Sequence, residues 1–232
     1  MVCPQRFDHA GTVEWQSGDG TLRFVPASAK SRLGRPPASD SARTRERILV
    51  AARQAFAELG YGEATNRHLA VKAGITTGAL YHYYDSKPEL FRAVYVDTQR
   101  IIYERFDEAL ASSATFVGQF EAVLEAAHQL NRDDPSLAQF HRSVRLEVPR
   151  YDELRQAMRD SMSTTPDVSV TLAETAARTG EVDQSMIPTL RAVLRLIFVG
   201  LVDAVSDDIA MHRRAVDGVK LLIEGRLIQQ MD

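Results

Sequence analysis

The chain has 232 residues, of which 44% are apolar and 25% charged, and its formal net charge at pH 7 is −3. This length and composition are typical of a soluble protein with one large or two modest domains. The small negative charge argues against a protein that coats nucleic acid without selectivity. Cys3 is the single cysteine, which excludes an internal disulfide and a cysteine-based zinc site.

The hydropathy pattern predicts a cytoplasmic protein without membrane spans. The longest apolar run, Leu196 to Val202, is far shorter than the roughly 20 residues that cross a bilayer. The N-terminus has no apolar stretch behind a basic patch, so we expect no secretory signal.

Residues 1–40 are rich in Gly, Ser, Pro and Asp without a sustained period, which predicts a largely disordered, basic N-terminal arm. Apolar and polar residues alternate weakly over residues 12–26, a pattern that is compatible with a short β-hairpin. A translation start further downstream is an alternative explanation of residues 1–29. Between residues 30 and 53, seven basic residues stand against two acidic ones, a composition that attracts phosphate. The Gly-Arg-Pro triplet at 34–36 is of the kind that enters a minor groove.

Residues 65–83 have the pattern of two short helices joined by a tight glycine turn. Thr65 and Thr76 are N-cap candidates, and Gly74 stands where a left-handed helix stop needs a residue without a Cβ. A longer amphipathic helix, predicted over 42–59, precedes them. Two helices joined in this way form a helix-turn-helix, whose second helix can lie in a DNA major groove.

The second of these helices carries residue types that suit nucleic-acid binding. Thr76, Thr77 and Gly78 are small, so backbone N–H groups at its start can approach a phosphate or a base edge. The aromatic residues at 81–83 add hydroxyl and imidazole groups, and Ser86–Glu89 is a capping box that holds Lys87 beside the groove. A small helical hairpin with an aromatic-rich core is the alternative explanation of the same spacing.

Residues 48–90 resemble the N-terminal domain of the tetracycline-repressor (TetR) family of bacterial transcription regulators. The matching pieces are Ile48-Leu49, Ala51-Ala52, Phe56, Gly60-Tyr61, Thr65, Arg67, Leu69-Ala70, Ala73-Gly74-Ile75-Thr76, Gly78, Leu80-Tyr81, Tyr83-Tyr84, Ser86-Lys87 and Glu89-Leu90. Tyr83-Tyr84 departs from the His-Phe of many members, but a tyrosine at 83 can still donate to phosphate.

The resemblance implies that this segment binds double-stranded DNA, and we assign contacts residue by residue. We expect base and groove contacts from Arg67, Thr76, Thr77, Gly78, Tyr81 and His82. We expect phosphate contacts, which set the register on DNA rather than the sequence read, from Thr65, Tyr83 and Lys87.

The remaining chain is predicted to contain helices only. Their expected ranges are 87–111, 116–130, 136–148, 152–162, 168–179, 188–205 and 208–230. The fold class is therefore all-α, with an N-terminal three-helix DNA-binding domain and a C-terminal helical domain for ligand binding and dimerisation. We place the arm at 1–40, the helix-turn-helix domain at 41–90 and the effector-binding and dimerisation domain at 91–232.

The helix predicted over 188–205 is apolar around most of its girth and must be covered on two sides. Four small residues in the last two helices would allow close helix approach: Gly200, Ala204, Gly218 and Gly225. A core helix within one subunit is one explanation. The resemblance implies instead a four-helix bundle with a twofold mate, hence a homodimer that reads two half-sites of a palindromic operator. We expect Leu201 at the twofold contact.

The resemblance also implies a small-molecule effector pocket among the middle helices, 114–180. The polar candidates to line it are His128, His141, Arg142, Arg145 and Tyr151. For any one of them taken singly, the sequence favours a surface residue of an amphipathic helix. The identity of the effector is not encoded in any motif that we recognise.

Enzyme chemistry has no positive support in the sequence. Glu125 and His128 have the Glu-x-x-His spacing of di-iron bundles, but such sites need a second copy, which is absent. We therefore predict neither a metal nor a cofactor, and a metal-dependent helical-bundle enzyme is a remote alternative. A second alternative is a helical sensor that no longer binds DNA, against which Gly78, Tyr81 and Lys87 argue. The favoured prediction is a DNA-binding repressor that a small effector releases.

Overall fold

The N-terminal residues contain a short antiparallel hairpin. The structure, a computed structural model, describes residues 14–18, 21–25, 37–203 and 207–226. Glu14–Gly18 (β1) pairs with Thr21–Val25 (β2). The weak alternation of apolar and polar residues over 12–26 is compatible with such a hairpin. Most of the predicted disordered arm lies outside the described residues, and helix already begins at Pro37 rather than near residue 42. Contacts divide the chain into residues 1–40 and residues 41–232.

From Pro37 onward the described residues form α-helices and short 3-10 turns, as the sequence predicts. The helices are α1 (Pro37–Glu63), α2 (Asn66–Lys72), α3 (Thr77–Tyr83), α4 (Lys87–Ala111), α5 (Phe116–Asp133), α6 (Pro135–Glu147), α7 (Asp152–Thr164), α8 (Val168–Thr179), α9 (Ile187–Asp203) and α10 (Ile209–Ile223). The 3-10 turns Val148–Arg150 and Gln184–Met186 adjoin α6 and α9. The predicted bounds of α4 and α8 are confirmed, whereas α5 continues three residues further than predicted.

Gly60 breaks α1 where the sequence predicts its end. Its backbone has φ 76° and ψ 171°, so the helical path bends there before a last short turn. A positive φ is costly for residues with a Cβ, which is why glycine occupies this corner. The bend sends the chain directly into the cap of α2.

The first hydrophobic cluster joins the helix-turn-helix to two later helices. Phe56 of α1 and Phe91 of α4 lie with ring centroids 5.0 Å apart, and Phe91 lies equally close to Phe140 of α6. Leu154 and Met158 of α7 are fully buried in the same cluster. The N-terminal helices therefore share their core with α6 and α7. The predicted domain boundary between residues 90 and 91 does not anticipate this shared core.

The second cluster packs α5 against α4, α8, α9 and α10. Its fully buried members include Phe120, Leu172 and Val216. Leu201 also belongs to it and is only 5% exposed, so the expectation that it lies on an external dimer contact is wrong. Gly225 is also reassigned, because its φ of 67° ends α10 in a left-handed turn. Ala204 lies outside the described residues.

An apolar face remains exposed on α9 and α10. Only Leu194 and Leu201 are buried on α9, while Leu196 is 72% exposed and Leu222 of α10 is 57% exposed. A Cβ added at Gly200 or at Gly218 would meet nothing within 4 Å. So much apolar surface on adjoining helices indicates a face that another surface covers.

The same stretch revises the expectation about membrane spans. By length and composition alone, Gln184–Asp203 could cross a membrane, with a mean hydropathy of 1.7 and 11% of its window buried. One such helix is weak evidence for a span, because apolar helices of soluble proteins have the same composition.

Candidate nucleic-acid interface

Both predicted threonine caps of the helix-turn-helix form. Thr65 Oγ1 accepts a hydrogen bond from His68 N at 3.2 Å, and Thr76 Oγ1 accepts one from Ala79 N at 3.1 Å. Gly74, between the two helices, has the left-handed φ of 67° that its position predicts. Local sequence alone therefore determines where α2 and α3 begin and how the chain turns between them.

Arg47 of α1 holds the turn from outside. Its Nη2 donates to the carbonyl oxygen of Ala73 at 2.8 Å and, more weakly, to that of Gly74 at 3.4 Å. Carbonyls at a helix C-terminus have no partner within the helix, so the guanidinium supplies one and its charge suits the helix end. From the sequence, Arg47 is one of the seven basic residues between 30 and 53 that we expect to attract phosphate. Only the tertiary structure reveals this internal contact.

The face of α3 opposite the core is accessible. Leu80 and Tyr84 are buried against the first cluster, as predicted. The exposed DNA-contact candidates are Thr65, Arg67, Thr76, Gly78, Tyr81 and His82. The half-buried candidates are Thr77, Tyr83 and Lys87. The structure thus presents all nine candidates on α2, α3, their caps and the start of α4.

Lys87 lies at the junction of α1 and α4. Its Nζ lies 4.3 Å from the centroid of the Tyr61 ring and donates to the carbonyl oxygen of Gly62 at 3.3 Å. Burial lowers the pKa of Lys87, an effect that the nearby carboxylate of Glu153 opposes. Tyr61 Oη in turn donates to Glu153 Oε1 at 2.9 Å. The candidate phosphate contact is therefore positioned by α1 and connected, through Tyr61, to α7.

Only half of the predicted capping box forms before α4. Ser86 Oγ accepts from Glu89 N at 3.3 Å. The Glu89 carboxylate pairs forward with Arg92 on the same helix. The start of α4 is still capped, which keeps Lys87 in the first turn.

Replacing Gly78 by alanine is expected to affect operator affinity without lowering the stability of the protein. The nearest atom to a Cβ at Gly78 is Thr76 Oγ1 at 4.0 Å, so the protein itself accommodates the methyl group. We expect an unchanged or slightly raised melting temperature, because alanine favours helix by about 0.5–1 kcal/mol over glycine. If DNA approaches this backbone closely, operator affinity measured by fluorescence anisotropy falls at least about tenfold. Unchanged affinity would place DNA away from Gly78.

The five effector-site candidates do not meet in one place. Tyr151 packs edge-on against Tyr61, with ring centroids 5.0 Å apart, in the first cluster. On α6, Arg142 pairs with Asp207 at 2.7 Å and Arg145 pairs with Asp203. The other two candidates are His141, also on α6, and His128, on α5. Burial lowers the pKa of His141, and Arg145 adds to this effect.

His128 faces a second buried histidine on α10. The Nδ1 atoms of His128 and His212 lie 3.2 Å apart, so one ring donates and the other accepts. One turn away, Glu125 binds Arg213 at 2.9 Å and Lys220 at 3.2 Å. These partners join α5 to α10 and occupy both residues of the Glu-x-x-His pattern. Within the described ranges, no three His, Cys, Asp or Glu residues cluster as metal ligands would.

The histidine pair predicts an acid-sensitive contact between α5 and α10. Burial lowers the pKa of both His128 and His212, and for His212 the neighbouring His128 adds to the shift. The unfolded chain therefore binds more protons, so the stability of the neutral pair is complete above about pH 6.5 and is lost as pH falls below it. Between pH 7.5 and pH 5.5, urea unfolding should show a smaller loss of unfolding free energy in His212→Gln than in the wild type. The exposed His82→Gln is the control and should behave as the wild type does; equal loss in both variants would contradict the prediction.

Comparisons with known proteins agree with this geometry. The profile described as bacterial regulatory proteins, tetR family, matches residues 48–94. TtgW, an HTH-type transcriptional regulator of Pseudomonas putida, is 32% identical over 96 residues, which span 41% of this chain and 72% of TtgW. The chain belongs to the TetR family of bacterial transcriptional regulators.

Other TetR-family relatives match over a longer stretch. The transcriptional regulator UidR of Escherichia coli K12 is 25% identical over 186 residues, or 79% of this chain and 93% of UidR. The crystal structure of FadR from Bacillus subtilis with stearoyl-CoA has a TM-score of 0.60 at 20% identity, covering 75% of this chain and 96% of FadR. The fold of this TetR-family protein thus extends through the helices beyond the DNA-binding head.

Proposed function

We propose that this TetR-family regulator is a cytoplasmic homodimer that represses transcription by binding a palindromic operator through two copies of α3. The observation that carries this proposal is the accessible face of α3, where Gly78, Tyr81 and His82 are exposed while Leu80 is buried. The apolar face of α9 and α10 supports dimerisation, because a second copy would cover Leu196. Two heads held by one interface can read two half-sites.

The second part of the proposal is release by a small-molecule effector bound among the middle helices, α5 to α8. FadR, which shares the fold, holds stearoyl-CoA in its structure. Our candidates for effector contacts remain the five polar residues of the middle helices, above all His141, Arg142 and Arg145, which share α6. The first cluster offers a route to the head, since it contains residues of both α6 and α1. We assign the effector and dimerisation functions to 91–232, DNA binding to 41–90 and no catalytic role to either.

Selection of DNA from a random library at a stated salt concentration tests this function. We expect an inverted repeat whose half-sites lie about one helical turn apart, bound in a complex of two chains to one duplex. The logarithm of the binding constant should fall linearly with the logarithm of salt concentration, with several phosphates neutralised. Failure to enrich any sequence, with folded dimeric protein, would favour the alternative of a helical sensor without DNA binding.

A further inference from the structure

The hydroxyl group of Tyr81 is held by a residue that lies outside α3. Asn66, the first residue of α2, donates from Nδ2 to Tyr81 Oη at 2.6 Å. The two residues are 15 positions apart in sequence, and the turn between α2 and α3 brings them together. Tyr81 is nevertheless 49% exposed, so its ring still faces solvent on the candidate DNA surface.

Asn66 is free for this contact because another residue caps α2. Thr65 Oγ1 already accepts from His68 N at the start of the helix. Asparagine is a poor helix former, and its usual value at a helix start is as the cap. At position 66 its amide instead reaches sideways to α3. The contact between the two helices therefore gives Asn66 a role that helix formation alone does not explain.

The direction of this hydrogen bond determines what Tyr81 can offer to DNA. A phenol can accept one hydrogen bond and donate another. Since the amide N–H of Asn66 donates to Oη, the O–H proton remains available for an external acceptor. Hydrogen bonds in a chain polarise one another, so the donation from Asn66 makes the phenol a stronger donor. Phosphate oxygens of DNA accept hydrogen bonds and cannot donate.

We propose that Asn66 is a positioning residue for DNA binding, which fixes Tyr81 so that its hydroxyl proton points to a backbone phosphate of the operator. This phosphate contact replaces the base or groove contact that the sequence analysis expects of Tyr81. The inference rests on the proposed function and adds to it a residue that the family pattern, in which position 66 is unspecified, does not assign. Asn66 acts through Tyr81. A direct contact of Asn66 with DNA is the competing explanation.

A double-mutant cycle with the full chain distinguishes the two. Wild type, Asn66→Ala, Tyr81→Phe and the double variant are titrated with the selected operator by fluorescence anisotropy at fixed salt. Loss of one oriented hydrogen bond should weaken binding about five- to tenfold in Asn66→Ala, and similarly in Tyr81→Phe. In the Tyr81→Phe background, Asn66→Ala should change affinity less than about twofold, because the group that it positions is gone.

Each other outcome rejects the positioning role. An equal loss from Asn66→Ala in both backgrounds means that Asn66 acts on DNA without Tyr81. If Asn66→Ala does not lower operator affinity in the protein that retains Tyr81, the contact between the two residues is unimportant for binding. Melting temperatures of the four proteins are compared first. If Asn66→Ala is unfolded, Asn66→Gln, which retains the amide donor, replaces it. Full loss of affinity in Asn66→Gln that does not depend on Tyr81 again rejects the proposal. A wild-type protein that binds no DNA rejects the proposed function itself, which is a separate result.

Discussion

Replacing Leu196 by glutamate is expected to split the proposed dimer and to lower operator affinity at least about a hundredfold. Leu196 is 72% exposed on α9, so the substitution leaves the core of the single chain intact. In a twofold interface each subunit would bury one unpaired carboxylate, and the two like charges would lie near each other. Light scattering should report a folded monomer at micromolar concentration, and anisotropy should report binding to single half-sites.

Two matched variants show that this effect comes from the interface. Leu201→Glu lies on the same helix but is buried within the chain, so circular dichroism should show loss of folding rather than a folded monomer. Leu146→Glu adds the same charge at a 55% exposed leucine of α6, outside the apolar face, and should remain dimeric. If Leu196→Glu stays a folded dimer, the interface lies elsewhere. If the wild type is a monomer, the proposed dimer is rejected.

Arg53→Ala is expected to lower the free energy of unfolding by about 3 kcal/mol. Arg53 of α1 is only 3% exposed, yet its Nε donates to Ser136 Oγ at 3.0 Å. Its Nη2 pairs with the carboxylate of Asp134, the N-cap of α6, and its Nη1 lies 4.0 Å from Asp97 of α4. Removing the guanidinium would leave an empty space and the Asp134 carboxylate without its cation, while Asp97 would keep only its pair with Arg100. Urea unfolding at neutral pH measures the loss.

Arg100→Ala is the control for this buried network. Arg100 also pairs with Asp97, at 2.8 Å, and reaches Glu104 at 3.0 Å, but its side chain is 37% exposed on α4. Solvent screens such a pair, so the expected loss is about 0.5 kcal/mol or less. Similar losses for Arg53→Ala and Arg100→Ala would mean that the network around Arg53 contributes little to stability. The comparison also tests whether α1 depends on the corner between α5 and α6.

The elements that the sequence predicted well are those whose structure depends on near neighbours. Thr65 and Thr76 cap α2 and α3, and Gly74 has the left-handed conformation expected at a helix end. A cap or a positive φ is decided by a few adjacent residues, so spacing along the chain suffices. The candidate DNA surface belongs to this class because it is built on consecutive short elements. The family resemblance added which of its residues to assign to base and phosphate contacts.

Where helices face one another was decided only by the tertiary structure. On α9 the sequence shows apolar residues around most of the helix, and it does not distinguish Leu194 and Leu201, which are buried, from Leu196, which is exposed. Two residues further along a helix lie about 200° around its axis, so Leu194 and Leu196 cannot face the same neighbour. Packing against the rest of the second cluster selects the buried side. The remaining side forms the apolar face through which we propose that the protein dimerises.

The polar contacts at long range follow the same rule. The sequence by itself determined that the described residues from Pro37 onward are helical and where most of these helices begin and end, and it predicted a DNA-binding domain at 41–90. It could not pair Arg47 with Ala73, Arg53 with Ser136 or His128 with His212, which are 26, 83 and 84 positions apart. Such pairs depend on which helix faces are brought together by burial of the apolar clusters, a property of the whole chain. Side-chain hydrogen bonds then form between whichever polar groups the packed helices place within reach.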